Sequence, residues 1–259
     1  MRLILTAGHD RAPHVAALAE LLRREGHTVA AILVVSPYSL TRLRGLARQR
    51  GRGFLGEAAR KLAGRGGGAG DPLDDFLAEA GIAERSLRRW ARAHGAAYHR
   101  VPDLNAPAAV CATRASRADG VIYGGGGILR APFLDAVDGR VLNAHAGPLP
   151  HVRGMNACEW ALLLGHAPAV TIHLIDRGID TGAVLESIPV PVEPGDTVDR
   201  LRARTAVLGV QGLVRAASRL AGPLPAAGGG APSRQCFVLA PVLRELLEAR
   251  LATGSGPAP

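Results

Sequence analysis

Aromatic side chains make up only 3% of this 259-residue chain, which also holds three cysteines, two methionines and no long apolar run. Each shortage excludes something. A bilayer-crossing helix needs about 20 consecutive apolar residues, and no stretch approaches that; the opening MRLILTAGHDR also lacks the apolar core of a secretory signal. Cys111, Cys158 and Cys236 are odd in number, far apart and without a CxxC, so a reduced, cytoplasmic protein is expected. His145 and His151 have no third partner at metal-ligand spacing, so no metal is expected. The first strand is not followed by the GxGxxG of a dinucleotide site. Phe54 is the one aromatic among the arginines of residues 42–70, too little for a stacking platform for single-stranded RNA; nucleic acid is not the expected partner.

What remains is a chain 47% hydrophobic, with a net charge of +9 carried mostly by arginine. That is enough for one substantial core, or for a domain of about 190 residues with a small appendage. The charge favours anionic partners without choosing among them. Leu3 to Ala7 reads as a strand, about Pro13 to Glu25 as a helix stopped by Gly26, and Thr28 to Ser36 as a buried parallel strand, a Rossmann-like β-α-β opening. Residues 42–70, basic and closing on a glycine cluster, read as a solvated insertion, the alternative being a basic flap over an anionic substrate. Asp71 to His94 is expected to be mostly helix, Ala97 to Val101 a short strand, and Gly120 to Tyr123 a buried strand followed by four glycines.

The stretch from Val141 to Gly182 carries the chemistry. Asn143 and His145 stand two apart at the end of an apolar run, which on a strand puts them on one face. Pro148 and Pro150 stop that strand, so the pair lies at a strand end, where open parallel sheets place their sites. A second apolar run, Ala169 to Ile175, leads into Asp176-Arg177-Gly178-Ile179-Asp180-Thr181-Gly182, a turn-rich loop able to hold a carboxylate over the same cleft. Taken singly, Asn143 reads as a turn cap, His145 as a satisfied core histidine and Asp180 as an Asx-turn. His173, inside the second run, reads as a hydrogen-bonded core residue, and Cys158 as a buried thiol.

Taken together, Asn-x-His, the Leu-Pro loop, Arg153-Gly154, the helix bearing Trp160, Thr171-x-His173 and Ile179-Asp180-Thr181-Gly182 resemble the formyltransferases that use 10-formyltetrahydrofolate, densely over Tyr123 to Arg204 and thinly before it. The resemblance implies an α/β fold with a Rossmann-like open, mostly parallel sheet and flanking helices, with Asn143, His145 and Asp180 as the catalytic group. It implies that Gly126, Gly127, Ile128 and Leu129 border the folate on one side and Ile175, Asp176 and Gly178 on the other, and that the Leu149-Pro150 bond is cis. One departure is local: the family commonly has His-x-Ser-Leu-Leu-Pro where this chain has His145-Ala146-Gly147-Pro148-Leu149-Pro150.

The chemistry fits those residue types. An amine attacking a formyl carbon builds negative charge on oxygen, which calls for preorganised donors. The Asn143 amide and an imidazolium at His145 are such donors, and Asp180 can balance the imidazolium and accept or relay the amine proton. Glu159 or Asn156 is a candidate to face the amine, a surface or capping role being the alternative, and Trp160 is expected to pack on the sheet. The expected acceptor is a small-molecule amine, on an amino-sugar nucleotide or in a specialised-metabolite pathway. A formyltetrahydrofolate deformylase shares the same three residues but usually carries an extra N-terminal domain; a non-catalytic folate- or nucleotide-binding protein of the same fold is the other alternative.

The catalytic domain is expected over residues 1–195. Residues 196–259 then form an extension, too short for the β-barrel of methionyl-tRNA formyltransferases: a helix from Val198 to Leu220, a low-complexity turn, a short strand at Phe237–Leu239 and a helix from Pro241 to Leu251 with Leu243, Leu246, Leu247 and Leu251 on one side. That last helix either packs on the core or serves a homodimer contact. The tail GSGPAP should fray.

Overall fold

The computed structural model describes residues 1–35, 71–226 and 233–253. The basic, glycine-rich stretch 42–70 and the tail GSGPAP fall outside the described residues.

Seven strands form one sheet in the order β3-β2-β1-β4-β5-β7-β8. β1 (Arg2–Ala7), β2 (Thr28–Val35), β3 (Ala97–Val101), β4 (Gly120–Gly124) and β5 (Val141–His145) are mutually parallel, whereas β7 (Ala169–Leu174) runs antiparallel to β5, and β8 (Val184–Pro189) antiparallel to β7. The inner parallel strands are apolar on both faces because helices cover both. Leu3, Leu5, Ile32 and Ile122 pack with α1 (Pro13–Arg24), α2 (Pro72–Glu79) and α3 (Leu87–His94). Ile4, Leu33, Val121 and Val141 pack on the other face with α4 (Pro107–Ala115) and α5 (Ala131–Leu134). The order reverses direction at β1–β4, so the C-terminal ends of the parallel strands open a crevice there.

α1 starts at Pro13, whose missing N–H costs nothing in a first turn, and ends before Gly26 at φ +79°. The segment expected to be mostly helix divides into α2 and α3, because Gly81 at φ +64° stops the first and the Ser86 hydroxyl caps the second. α6 (Ala157–Leu163) follows β6 (Val152–Gly154). α7 (Val198–Ala216) is capped by Thr197, whose hydroxyl accepts from Arg200 N at 3.2 Å, and its Val198, Leu201, Val210 and Leu213 belong to the same core as α1. It lies close on the sheet: a Cβ at Gly212 would be 2.7 Å from Ile172 and Ile188 side chains.

Two C-terminal expectations are corrected. The short strand is β9 (Arg234–Cys236), not Phe237–Leu239; it pairs in parallel with β6 because Gly154 lets the Cys236 carbonyl approach to where a Cβ would sit 2.1 Å away. Phe237 and Val238 are exposed instead. In α8 (Pro241–Ala252), Leu247 and Leu251 are buried while Leu246 is exposed, so the apolar side is narrower than its leucines imply. This helix packs on α6 and α7, and Glu248 accepts from Val198 N at 3.3 Å.

Candidate active site

β5 runs from the core to the sheet's C-terminal rim, and its alternation turns Asn143 and His145 to one side. Antiparallel pairing sets Asn143 opposite His173 and His145 opposite Thr171. The second histidine is therefore part of the same constellation. His173 Nδ1 lies 2.8 Å from its neighbour Leu174's carbonyl oxygen, an acceptor, so that nitrogen carries the proton. Its Nε2 then accepts from the Asn143 amide nitrogen at 3.0 Å, which fixes the amide's orientation and leaves its second N–H to point elsewhere. Burial holds the His173 ring below the usual histidine range, consistent with this neutral form.

The same reasoning orients His145. Its Nε2 lies 2.9 Å from the Val152 carbonyl oxygen and must donate there, leaving Nδ1 toward the Asp180 carboxylate at 3.4 Å. A ring held this way offers an N–H at Nδ1 only as the imidazolium, whose charge Asp180 balances. The exit loop is pinned by Thr171, whose hydroxyl donates to Gly147 O at 2.7 Å and accepts from Leu149 N at 3.1 Å. Gly147, where the family commonly has serine, has no room for a side chain: a Cβ there would sit 2.5 Å from Ala157 and 2.9 Å from the His145 ring. The Leu149-Pro150 bond is cis.

Asp180 is delivered by a shaped loop. Asp176 accepts from Gly178 N at 3.0 Å and from the Thr181 hydroxyl at 2.7 Å, while Asp180 itself adopts φ +52°. Gly182 passes so close to the Leu174 carbonyl that a Cβ would be 1.8 Å from it. The Asp180 carboxylate accepts from Gly154 N at 2.8 Å, and Arg153 donates to Ile179 O at 3.2 Å, so β6 clamps the loop. Asp180 Oδ1 is 3.8 Å from His173 Nε2. Asn143, His145, His173 and Asp180 thus form one contiguous polar group.

The two proposed folate-bordering segments differ in character. Gly126 and Gly127 have φ of +126° and +104°, open to glycine alone without strain, and the space where a Cβ at Gly127 would go is empty. The Tyr123 hydroxyl bonds both the nitrogen and the carbonyl of Gly127, at 3.1 and 2.8 Å. Asn105 clamps the loop further, donating to Ile128 O at 2.9 Å and accepting from Arg130 N at 2.7 Å. Ile128 is exposed, whereas the Leu129 side chain is buried in the core. Across the rim, Ile175 packs against the same cluster as Leu129, and Asp176 and Gly178 spend their polar groups shaping the Asp180 loop.

Two sequence expectations fail here. Glu159 is buried and accepts from Arg202 Nε at 2.7 Å and Asn156 Nδ2 at 3.0 Å, while Asn156 Oδ1 accepts from Leu239 N at 3.0 Å; neither is free to face an amine. Trp160 packs with Val152, Ala161 and Cys236 and donates to Phe237 O at 2.8 Å, under β9 and not on the main sheet. His173 is buried as expected, yet its partner is the Asn143 amide; the strand direction that brings them together leaves no mark in the composition of either strand. Burial pushes the Cys158 thiol up to about 12, so it is no nucleophile at neutral pH. Among the described residues no group of three or more His, Cys, Asp or Glu is arranged to hold a metal ion.

An open α/β sheet with an amide, an imidazole and a carboxylate at its C-terminal rim defines a domain equipped to stabilise an oxyanion and move a proton. The formyl transferase family profile matches residues 2–217, and the chain belongs to that family. A methionyl-tRNA formyltransferase of Gluconobacter oxydans is 32% identical over 226 residues, covering 87% of this chain and 62% of that protein. A phosphoribosylglycinamide formyltransferase of Mycobacterium tuberculosis is 39% identical over 116 residues, covering 44% of this chain and 54% of its own. The chain spans about half the length of the curated relatives it matches. A sugar N-formyltransferase structure from a Shewanella species superposes with a TM-score of 0.59 over 97% of this chain and 87% of its own at 13% identity, a likeness of fold alone.

Proposed function

We propose that this protein is an N-formyltransferase that moves a formyl group from 10-formyltetrahydrofolate to the amine of a small acceptor. The observation that carries the proposal is the convergence of the Asn143 amide, held by His173 at 3.0 Å, with the His145–Asp180 pair at 3.4 Å at the end of β5. Asn143's free N–H donates to the developing oxyanion, and the His145 imidazolium, with its Nε2–H on Val152 O and its Nδ1–H shared with Asp180, stabilises the same charge. Asp180, fixed by Gly154 N, stabilises the imidazolium and takes up the proton leaving the attacking amine. No covalent enzyme intermediate is called for. Gly126, Gly127, Ile128 and Leu129, with Ile175, Asp176 and Gly178, are assigned to the folate side; the open space above Gly127 and the exposed Ile128 support a flat heterocycle resting against that loop. The acceptor is assigned to the amino-sugar nucleotides or to specialised-metabolite amines, because the turn after β1, Gly8-His9-Asp10-Arg11, lacks the Gly-Ser-Asn character that purine enzymes use around phosphate.

The deciding experiment incubates the protein with 10-formyltetrahydrofolate and a panel of amines, following tetrahydrofolate release and an acceptor mass gain equal to one CO. Transfer to an amine is the expected result. Stoichiometric release of formate with every amine unmodified would identify a deformylase instead, and tight folate binding without turnover would overturn the catalytic reading.

A further inference from the structure

Away from the catalytic group, at the β3 edge of the sheet, a hollow of about 500 Å³ is lined by Arg88, Arg92, Ala96, Tyr98 and Arg100. Arg88 and Arg92 stand four apart on α3 and so share a face, where like charges repel. Arg100 joins them from β3, on the same strand face as Tyr98. Among the described residues, no acidic side chain forms an ion pair with any of the three. The carboxylate close by is already committed: Asp10 accepts from the Tyr98 hydroxyl at 2.8 Å, the Arg88 backbone nitrogen at 2.9 Å and the Ser86 hydroxyl at 2.8 Å. Those bonds hold the first turn of α3 and the Tyr98 ring in place without using any of the three guanidinium groups. A charged edge strand discourages unwanted strand pairing, which accounts for Arg100. It does not account for two helical arginines gathered over the same hollow.

We propose that this groove is a binding site for the phosphoryl group of a phosphorylated small molecule. Guanidinium forks match phosphate oxygens in pairs, and converging forks suit a multiply charged oxyanion better than a single carboxylate. The hollow lies within the roughly 300–1,000 Å³ typical of small-molecule sites, so it has room for an organic body beside the phosphate, with the Tyr98 ring as an apolar wall. In the sheet order β3 lies four strands from β5, about 19 Å at strand spacing, so the site is separate from the catalytic group and the proposal stands independently of formyl transfer.

The test is calorimetric titration of the full chain with inorganic pyrophosphate at about 0.1 M salt, comparing the native protein with the R92Q/R100Q variant and with R89Q. Arg89 is on the same helix but does not line the hollow, so it controls for loss of charge alone. The expected result is saturable one-to-one binding, weakened at least about tenfold in R92Q/R100Q and less than about twofold in R89Q, with unchanged circular dichroism in both variants. Absence of saturable binding, equal affinity in R92Q/R100Q, or an equal loss in R89Q would overturn the site. A short single-stranded RNA that binds tighter than pyrophosphate and loses that binding in R92Q/R100Q would overturn the small-molecule assignment in favour of a nucleic acid backbone.

Discussion

Replacing Asn143 with alanine removes at once the structural duty of the side chain and the catalytic one proposed for it. Its amide donates to His173 Nε2 at 3.0 Å, and the His173 side chain is only 1% exposed, so truncation strands a buried acceptor. That costs about 1–3 kcal/mol, which at about 2–4 °C per kcal/mol for a domain of this size lowers the melting temperature by roughly 2–12 °C. On the proposed mechanism the same truncation also removes an oxyanion donor, worth about 2.7–4 kcal/mol of transition-state stabilisation, or 10²–10³ in turnover. Asn143→Asp divides the two: it abolishes the donor, yet its carboxylate can bind a protonated His173, so stability is largely kept while turnover is lost. Steady-state kinetics at saturating formyl donor and amine, paired with thermal melts of both variants, is the assay. The KM for the formyl donor should change less than about threefold, because the interaction acts in the transition state. If Asn143→Ala melts lower but keeps turnover within about tenfold, Asn143 merely supports His173 and the catalytic assignment is wrong.

Gly154→Ala should be severe, since the new methyl would meet the Cys236 carbonyl at 2.1 Å and unseat both β9 and the Gly154 N–H on Asp180; soluble protein with native turnover would contradict the clamp. Asp196→Ala removes a buried carboxylate that takes both Arg204 terminal nitrogens, at 2.6 and 3.1 Å, and should cost about 3 kcal/mol in denaturant unfolding. Burial depresses both His14 and His173, so below about 6.5 the unfolded chain binds protons that the folded chain refuses. Their contribution to stability therefore rises with pH up to about 6.5 and is level above it; their replacement by non-titrating residues should flatten the slope of the denaturation midpoint between about pH 5 and 6.5. Under native conditions near pH 8 iodoacetamide should label exposed Cys111 and spare Cys158, as peptide mass mapping would read directly.

Much of the fold was legible because local rules and tertiary need agree. The apolar runs of β1, β2 and β4 are buried on both faces, as parallel strands must be, and β3 spans the expected Ala97–Val101. Asn143 and His145 were readable as a pair because a strand's two-residue period is a property of the chain alone. β9 was misplaced by three residues because its register is chosen by Gly154 of another strand, whose missing side chain admits the Cys236 carbonyl. Trp160 and Glu159 went elsewhere for the same reason: their partners, Phe237 and Arg202, are 77 and 43 residues away.

The order of motifs along the chain was thus sufficient for the family and for the shared strand face of Asn143 and His145, the second of which depends on short-range spacing alone. Only the folded molecule decided that β7 runs against β5, which sets the His173 ring beside Asn143, and that the Val152 carbonyl and Gly154 amide of β6 meet His145 and Asp180. Hydrogen-bond partners between distant strands are set by register, and register is a property of the pair that no single segment carries.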